Sequence, residues 1–198
     1  MVGSGGNLSA REPGSDEIWV TAAGTWLERL DRSSFVAVGV SDGAVVGDAN
    51  ASPTTELALH LATYRARLDV NAVVHLHPQT LVLLDAMGER VRLITTDHAF
   101  YLRRVATAPF YPPGHPGVGE SAAAAVADGT NCVILAHHGC SVLGEDVEMA
   151  HRRAMNLDEA ARLTFQALMI TGGLPGRPIV EAPTDFLADL DQRATGTI

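Results

Sequence analysis

The chain has 198 residues, enough for one domain with a substantial core, and its 14 Lys plus Arg against 23 Asp plus Glu leave a net charge of −9. That acidic balance argues against general binding to nucleic acid or to an anionic membrane, while a small phosphate-bearing molecule can still be held locally by backbone N–H groups. No apolar run approaches the ~20 residues needed to span a bilayer, and no basic segment followed by an apolar one opens the chain, so a cytoplasmic protein is expected. Cys132 and Cys140 are its only cysteines and read as reduced thiols.

In chain order, Gly3-Ser4-Gly5-Gly6-Asn7-Leu8-Ser9 reads as a loop, either a flexible leader or a Gly-rich loop whose backbone approaches an anion. A short strand is expected over 18–21. Thr25, with Glu28 three residues on, forms a capping-box pattern that predicts a helix to Leu30. The apolar runs 35–40 and 44–46, parted by Ser41-Asp42-Gly43, predict a hairpin. Ser52-Pro53 opens the next helix, which ends near Asp69 and carries Leu57, Leu61, Tyr64 and Leu68 as its apolar stripe. Glu56 and His60, four apart, share one side of it.

Further on, 80–87 predicts a helix stopped by Gly88, 91–94 a strand, and the Pro- and Gly-rich 109–119 a loop. Residues 121–128 predict an Ala-rich helix and 132–136 a buried strand. A long helix follows over 146–170, with Val147, Ala150, Ala154, Leu157, Ala161 and Leu168 as its stripe. A single main domain is expected over 1–173, stopped at Gly172-Gly173, with a weakly patterned tail over 174–198 to which no function is assigned.

The chemistry centres on Ala72-Val73-Val74-His75-Leu76-His77-Pro78. Residues i and i+2 of a strand share a face, so the two imidazoles project side by side, a metal-binding arrangement. The competing reading, two core histidines, requires burying two unpaired imidazoles, which is costly. A second apolar strand runs into His137-His138-Gly139, and since strand neighbours face opposite ways, one of this pair would join the site. Three histidines leave an open coordination position, where a metal acts as a Lewis acid on a carbonyl or hydroxyl oxygen. A cupin-type oxygenase would carry a carboxylate soon after His-x-His, and 78–84 holds none. Cys140 and Ser141 are possible nucleophiles beside the pair, but a small buried residue after a Gly is the commoner case.

Five segments taken together, Gly6-Asn7-Leu8-Ser9, Thr21-Ala22-Ala23-Gly24, Pro53-Thr54-Thr55-Glu56 with His60, Ala72-Val73-Val74-His75-Leu76-His77 and Ala136-His137-His138-Gly139, resemble the class II aldolase/adducin family in order and spacing. The resemblance runs over 5–172. It implies a single-domain α/β fold, three-layer α/β/α with a central mainly antiparallel mixed sheet, assembled as a homotetramer with interfacial active sites. It makes His75, His77 and His138 ligands of Zn2+, or of another divalent ion such as Mn2+, Co2+ or Fe2+. Glu56 matches the acid/base carboxylate, and Asn7, Gly24, Thr54 and Thr55 match positions that cradle a substrate phosphate.

The activity so implied is a zinc-dependent lyase that cleaves a ketose 1-phosphate, such as fuculose 1-phosphate, to dihydroxyacetone phosphate and an aldehyde. Zinc on the ketose hydroxyl and carbonyl would hold the enediolate while Glu56 moves the proton. A sugar-phosphate epimerase, dehydratase or keto-acid decarboxylase on the same metal is the alternative within the fold. A non-catalytic adducin-like scaffold is the alternative outside it. The chain departs from the family pattern in three places. It begins almost at the Gly-Asn-x-Ser loop, where the family has a preceding helix, and Ala23 stands where a phosphate-binding hydroxyl is expected. The aldolase tyrosine position falls near Thr96, with Tyr101 and Tyr111 nearby, and in the epimerase register Asp97 is shifted while Ala99 is closest.

Overall fold

Seven short strands form one sheet: β1 (Asn7–Ala10), β2 (Glu17–Thr21), β3 (Phe35–Gly39), β4 (Ala72–Leu76), β5 (Val105–Ala108), β6 (Cys132–Leu135) and β7 (Gly139–Gly144). The structure, a computed structural model, describes residues 5–47, 51–112, 114–171 and 178–194, so Gly3-Ser4 of the opening loop and the Gly172-Gly173 stop lie outside the described residues. The spatial order is β3-β2-β1-β4-β7-β6-β5. Every neighbouring pair is antiparallel except β5 and β6, which run parallel.

Alternation along the strands sends successive side chains into two separate cores. On one face, Val73, Val133 and Leu143 pack with Ile18, Val20 and Val38 beneath α1 (Leu57–Ala66) and α4 (Pro116–Val126). On the other, Val74, Ile134 and Val142 pack beneath α2 (Gln79–Ala86), α3 (Thr96–Leu102) and α5 (Val147–Thr171). This is the single-domain α/β/α architecture with a mainly antiparallel mixed sheet that the resemblance implies. A sixth helix, α6 (Asp185–Ala194), follows a segment tied to the body through Ala182 N–H donating to the Leu93 carbonyl at 2.8 Å. Among the described residues no helix is long and apolar enough to cross a membrane.

Several local expectations are overturned, each by long-range pairing. The opening loop is strand β1 from Asn7 onward. Asn-Leu-Ser-Ala has weak strand propensity, but pairing with both β2 and β4 satisfies its backbone on either side. Residues 25–30 form turns rather than a helix; Trp26 stays half-exposed, and so short a segment has little apolar face to offset helix nucleation. The reciprocal cap forms instead at Asp31 and Ser34, around a 3-10 turn over Arg32–Ser34.

Pro53 does not start a helix. It bridges to Ala22, with Thr54 N–H donating to the Thr21 carbonyl at 2.9 Å, and this extended pairing delays α1 to Leu57, with Glu56 at its N-cap. The same helix ends at Ala66, so Leu68 is 80% exposed instead of extending the apolar stripe. The 44–46 return of the hairpin shrinks to one bridge, Val38 to Val45.

The 91–94 segment is not a strand. Its amides bond outside the sheet, Arg92 N–H to Thr164 Oγ1 at 2.9 Å and Leu93 N–H to Glu181 Oε2 at 3.2 Å. The helix expected from Ser121 starts at Pro116, where the His115 side chain caps the Gly117 amide. Val147 is exposed rather than part of the α5 stripe. Elements β5, β7 and α3 were not anticipated; β7 is buried throughout and central in the sheet.

Candidate active site

His75 has the parity of Val73 and so faces the α1 side of the sheet, where it is fully buried. His77 follows one residue beyond the end of β4. Their Nε2 atoms stand 2.8 Å apart. His138 arrives from the connection between β6 and β7, where pairing of Leu135 with Gly139 leaves only Ala136, His137 and His138 to turn the chain. His137 takes the left-handed conformation, φ +57°, and its amide donates to Asp85 Oδ2 at 2.7 Å. That turn leaves His137 exposed and carries the His138 ring to within 4.9 Å of His75 and 5.0 Å of His77, centroid to centroid.

Glu56 closes the group from the start of α1. Its Oε2 lies 3.1 Å from His75 Nε2 and its Oε1 3.1 Å from His138 Nε2, while Asn7 Nδ2 donates to Oε2 at 2.8 Å. Ligand-type atoms of Glu56, His75, His77 and His138 all lie within 4.8 Å of one another. Burial alone raises the Glu56 carboxyl pKa. Hydrogen bonds from His138 and His75, the charge of His75 and the Asn7 amide outweigh burial and hold it well below the ordinary carboxylate range. Burial, followed by the neighbouring His75 and His138, pushes His77 down to about 4 against the opposing pull of Glu56.

Three imidazoles plus one carboxylate are a donor set suited to a divalent cation of the zinc type. His75 directs its Nε2 into the cluster, and its buried Nδ1 has no protein partner among the described residues. Ser141, paired across the strands with His75, likewise has a buried Oγ without a partner.

Beside the cluster lies a cavity of about 170 Å³ lined by Asn7, Gly24, Thr54, Thr55, Glu56 and His77, among others. It therefore unites the expected anion-cradle positions with two members of the cluster. Ala23 and Thr25 line it too. Tyr111 and Ser121 border a narrow cleft that His138 also lines. Thr96, Asp97, Ala99 and Tyr101 fall on α3, which packs against α5 and contributes nothing to the four-residue cluster. Also unforeseen were the Asp85 anchor on the His137 amide and a buried network joining Asn7, Ser9, His60 and Tyr64. The i, i+2 spacing of Asn7 and Ser9 and the i, i+4 spacing of His60 and Tyr64 carry its signal, once 7–10 is known to be a strand.

Comparison with known proteins identifies the family. The family model for the class II aldolase and adducin N-terminal domain matches residues 1–165. An L-fuculose phosphate aldolase of Methanocaldococcus jannaschii is 31% identical over 170 residues, 86% of this chain and 89% of that protein. A 3-oxo-tetronate 4-phosphate decarboxylase of Escherichia coli is 31% identical over 169 residues, 83% and 77% of the respective chains. The solved structure of YgbL from Klebsiella pneumoniae superposes with a TM-score of 0.78 at 27% identity, covering 96% of this chain and 88% of that one. With the His-rich cluster in place on this sheet, the chain belongs to the class II aldolase/adducin family and is an enzyme of the lyase type.

Proposed function

We propose that this enzyme is a zinc-dependent aldolase that cleaves a ketose 1-phosphate, such as fuculose 1-phosphate, to dihydroxyacetone phosphate and an aldehyde. The observation that carries the reading is the convergence of three imidazole Nε2 atoms and the Glu56 carboxylate beside a polar cavity of phosphate-binding character. Composition supports it: all 14 Lys plus Arg are arginine, so no lysine is available to form an imine with the ketose. Withdrawal of the carbanion charge then falls to a cation.

His75, His77 and His138 would hold that cation, which supplies Lewis-acid polarisation of the substrate carbonyl and its neighbouring hydroxyl. Asn7, Gly24, Thr54 and Thr55 orient the phosphate at the start of α1, where backbone N–H groups favour an anion. The C3–C4 bond breaks, its electron pair moving toward the C2 carbonyl, while the ionised Glu56 carboxylate takes the C4 hydroxyl proton and C4 becomes the aldehyde carbon. Glu56 then returns that proton to C3, which completes dihydroxyacetone phosphate. A cytoplasmic homotetramer with interfacial sites is the assembly that goes with this reading.

The test is incubation of the purified protein with fuculose 1-phosphate and related ketose 1-phosphates, with enzymatic detection of dihydroxyacetone phosphate. Equal amounts of it and of aldehyde are expected, lost on chelation and restored by zinc. A relative of equal identity that is named as a decarboxylase supports a second reading on the same site. Carbon dioxide release from 3-oxo-tetronate 4-phosphate, with no ketose cleaved, would replace the aldolase reading by that one.

A further inference from the structure

We propose that His60 is a positioning residue that fixes the Glu56 carboxylate by acting through the side-chain amide of Asn7. The proposal rests on the reading of Glu56 as the group that moves the proton. Four hydrogen bonds run in series from the cluster into the interior. Asn7 Nδ2 to Glu56 Oε2 is 2.8 Å, His60 Nε2 to Asn7 Oδ1 is 2.6 Å, Ser9 Oγ to His60 Nδ1 is 2.6 Å, and Tyr64 OH to Ser9 Oγ is 2.9 Å.

The chemistry of the two ends gives this series one direction. An ionised carboxylate only accepts, so the Asn7 atom against Glu56 is the amide nitrogen, and its carbonyl oxygen must face His60. That oxygen also only accepts, so His60 carries its proton on Nε2. Full burial keeps the imidazole neutral, leaving Nδ1 as an acceptor for the Ser9 hydroxyl, and Ser9 Oγ in turn accepts from Tyr64. Flipping the Asn7 amide would set its oxygen against the carboxylate and its NH2 against the His60 donor, a mismatch at both ends.

The series transmits orientation rather than protons, because the Asn7 carboxamide has no acidic proton to pass on. Its placement is mechanical as well. Asn7 pairs with His75 across β1 and β4, and His60 lies one turn after Glu56 on α1. The network therefore sets the start of α1 against the strand that carries His75. His60 itself is absent from both the four-residue cluster and the cavity lining, so it acts only through Asn7.

The experiment is NMR of the zinc-loaded protein labelled with 15N, together with the His60→Ala and His60→Gln variants. His60 is expected as the neutral Nε2–H tautomer, with slowly exchanging Asn7 side-chain NH2 signals that persist in His60→Gln and are lost in His60→Ala. On whichever substrate the protein cleaves, kcat is expected to fall about 10- to 100-fold in His60→Ala and to recover largely in His60→Gln, whose amide can donate to Asn7. An Nδ1–H tautomer in the wild type overturns the proposal, as does equal loss of kcat in two variants of equal melting temperature, or no loss in either. The tautomer needs neither a substrate nor a folded variant, so it decides the matter even if no ketose is cleaved.

Discussion

Glu56 receives hydrogen bonds from β1, β4 and the β6–β7 turn, so its carboxylate is held ionised in a largely buried place. Glu56→Gln keeps the shape and removes the proton carrier. On the aldolase reading kcat should fall about 10²- to 10⁴-fold while bound zinc, measured by elemental analysis, stays stoichiometric. His138→Ala removes a donor instead, and should lose the metal under the same measurement. His60 supplies a pH prediction. Burial lowers its pKa from 6.5 to about 3, with His75 lowering it further and Glu56 opposing. Above pH 6.5 both folded and unfolded states hold it neutral, and it contributes no pH dependence. As pH falls below 6.5 toward about 3, the unfolded chain binds a proton that the folded chain refuses, so stability drops by about 1.4 kcal/mol per pH unit. His77 and Glu56 also weaken the fold in acid, but they do so in wild type and His60→Gln alike. Urea unfolding in chelator between pH 6.5 and 4.5 should therefore show a shallower fall for His60→Gln.

The closest approach of elements at the site is between β4 and β7. A Cβ on Gly139 would run into the Leu76 carbonyl oxygen and stand 2.6 Å from His77 Cδ2. Gly139→Ala must therefore push β7 away from the strand that carries two of the histidines. A cost of about 1–3 kcal/mol in urea unfolding is expected, together with weaker zinc binding in chelator competition. The helices α1 and α4 meet under a similar restriction, because a Cβ on Gly119 would come within 2.6 Å of the Ala58 carbonyl oxygen. That crossing sits on the first turn of α1, directly after Glu56, so the packing of two helices takes part in placing a carboxylate.

Across the whole molecule, residues 7, 56, 75 and 138 meet because β1 and β4 are neighbours, β7 lies next to β4, and α1 starts over the same end of the sheet. At the opposite end of α1, Arg67 performs the corresponding fastening. Its buried guanidinium donates to the Val126 and Thr130 carbonyls at 2.9 and 3.0 Å, to Asn131 Oδ1 at 2.9 Å and to both Asp69 oxygens. It thereby joins the ends of α1 and α4 to the start of β6. Arg67→Ala takes the charged donor away from the Val126 and Thr130 carbonyls, of which Val126 keeps the Gly129 N–H at 3.1 Å, and about 3 kcal/mol should be lost in urea unfolding, since bonds to a charged donor are worth roughly 1.5–3 kcal/mol each. The candidate metal site, a full helix length away, should keep its affinity for added zinc.

By itself the sequence determined the His-x-His strand, the second histidine pair at the end of an apolar strand, the long α5 and the acidic, single-domain character of the chain. These are legible because strand and helix periodicity act between residues two to four apart. Tertiary structure alone decided the rest. Strand β1 exists because β2 and β4 flank it, α1 begins at Leu57 because Pro53 is drawn to Ala22, and β7 lies inside the sheet between β4 and β6 despite its glycines and small residues. Local spacing left His137 and His138 equivalent candidates, and the resemblance pointed to the second. The physical reason that His138 turns inward is the left-handed turn at His137, imposed by closing β6 onto β7 in three residues and held by Asp85 from another helix. No local pattern contains that closure, because its partners lie far apart in the chain and meet only when the sheet forms.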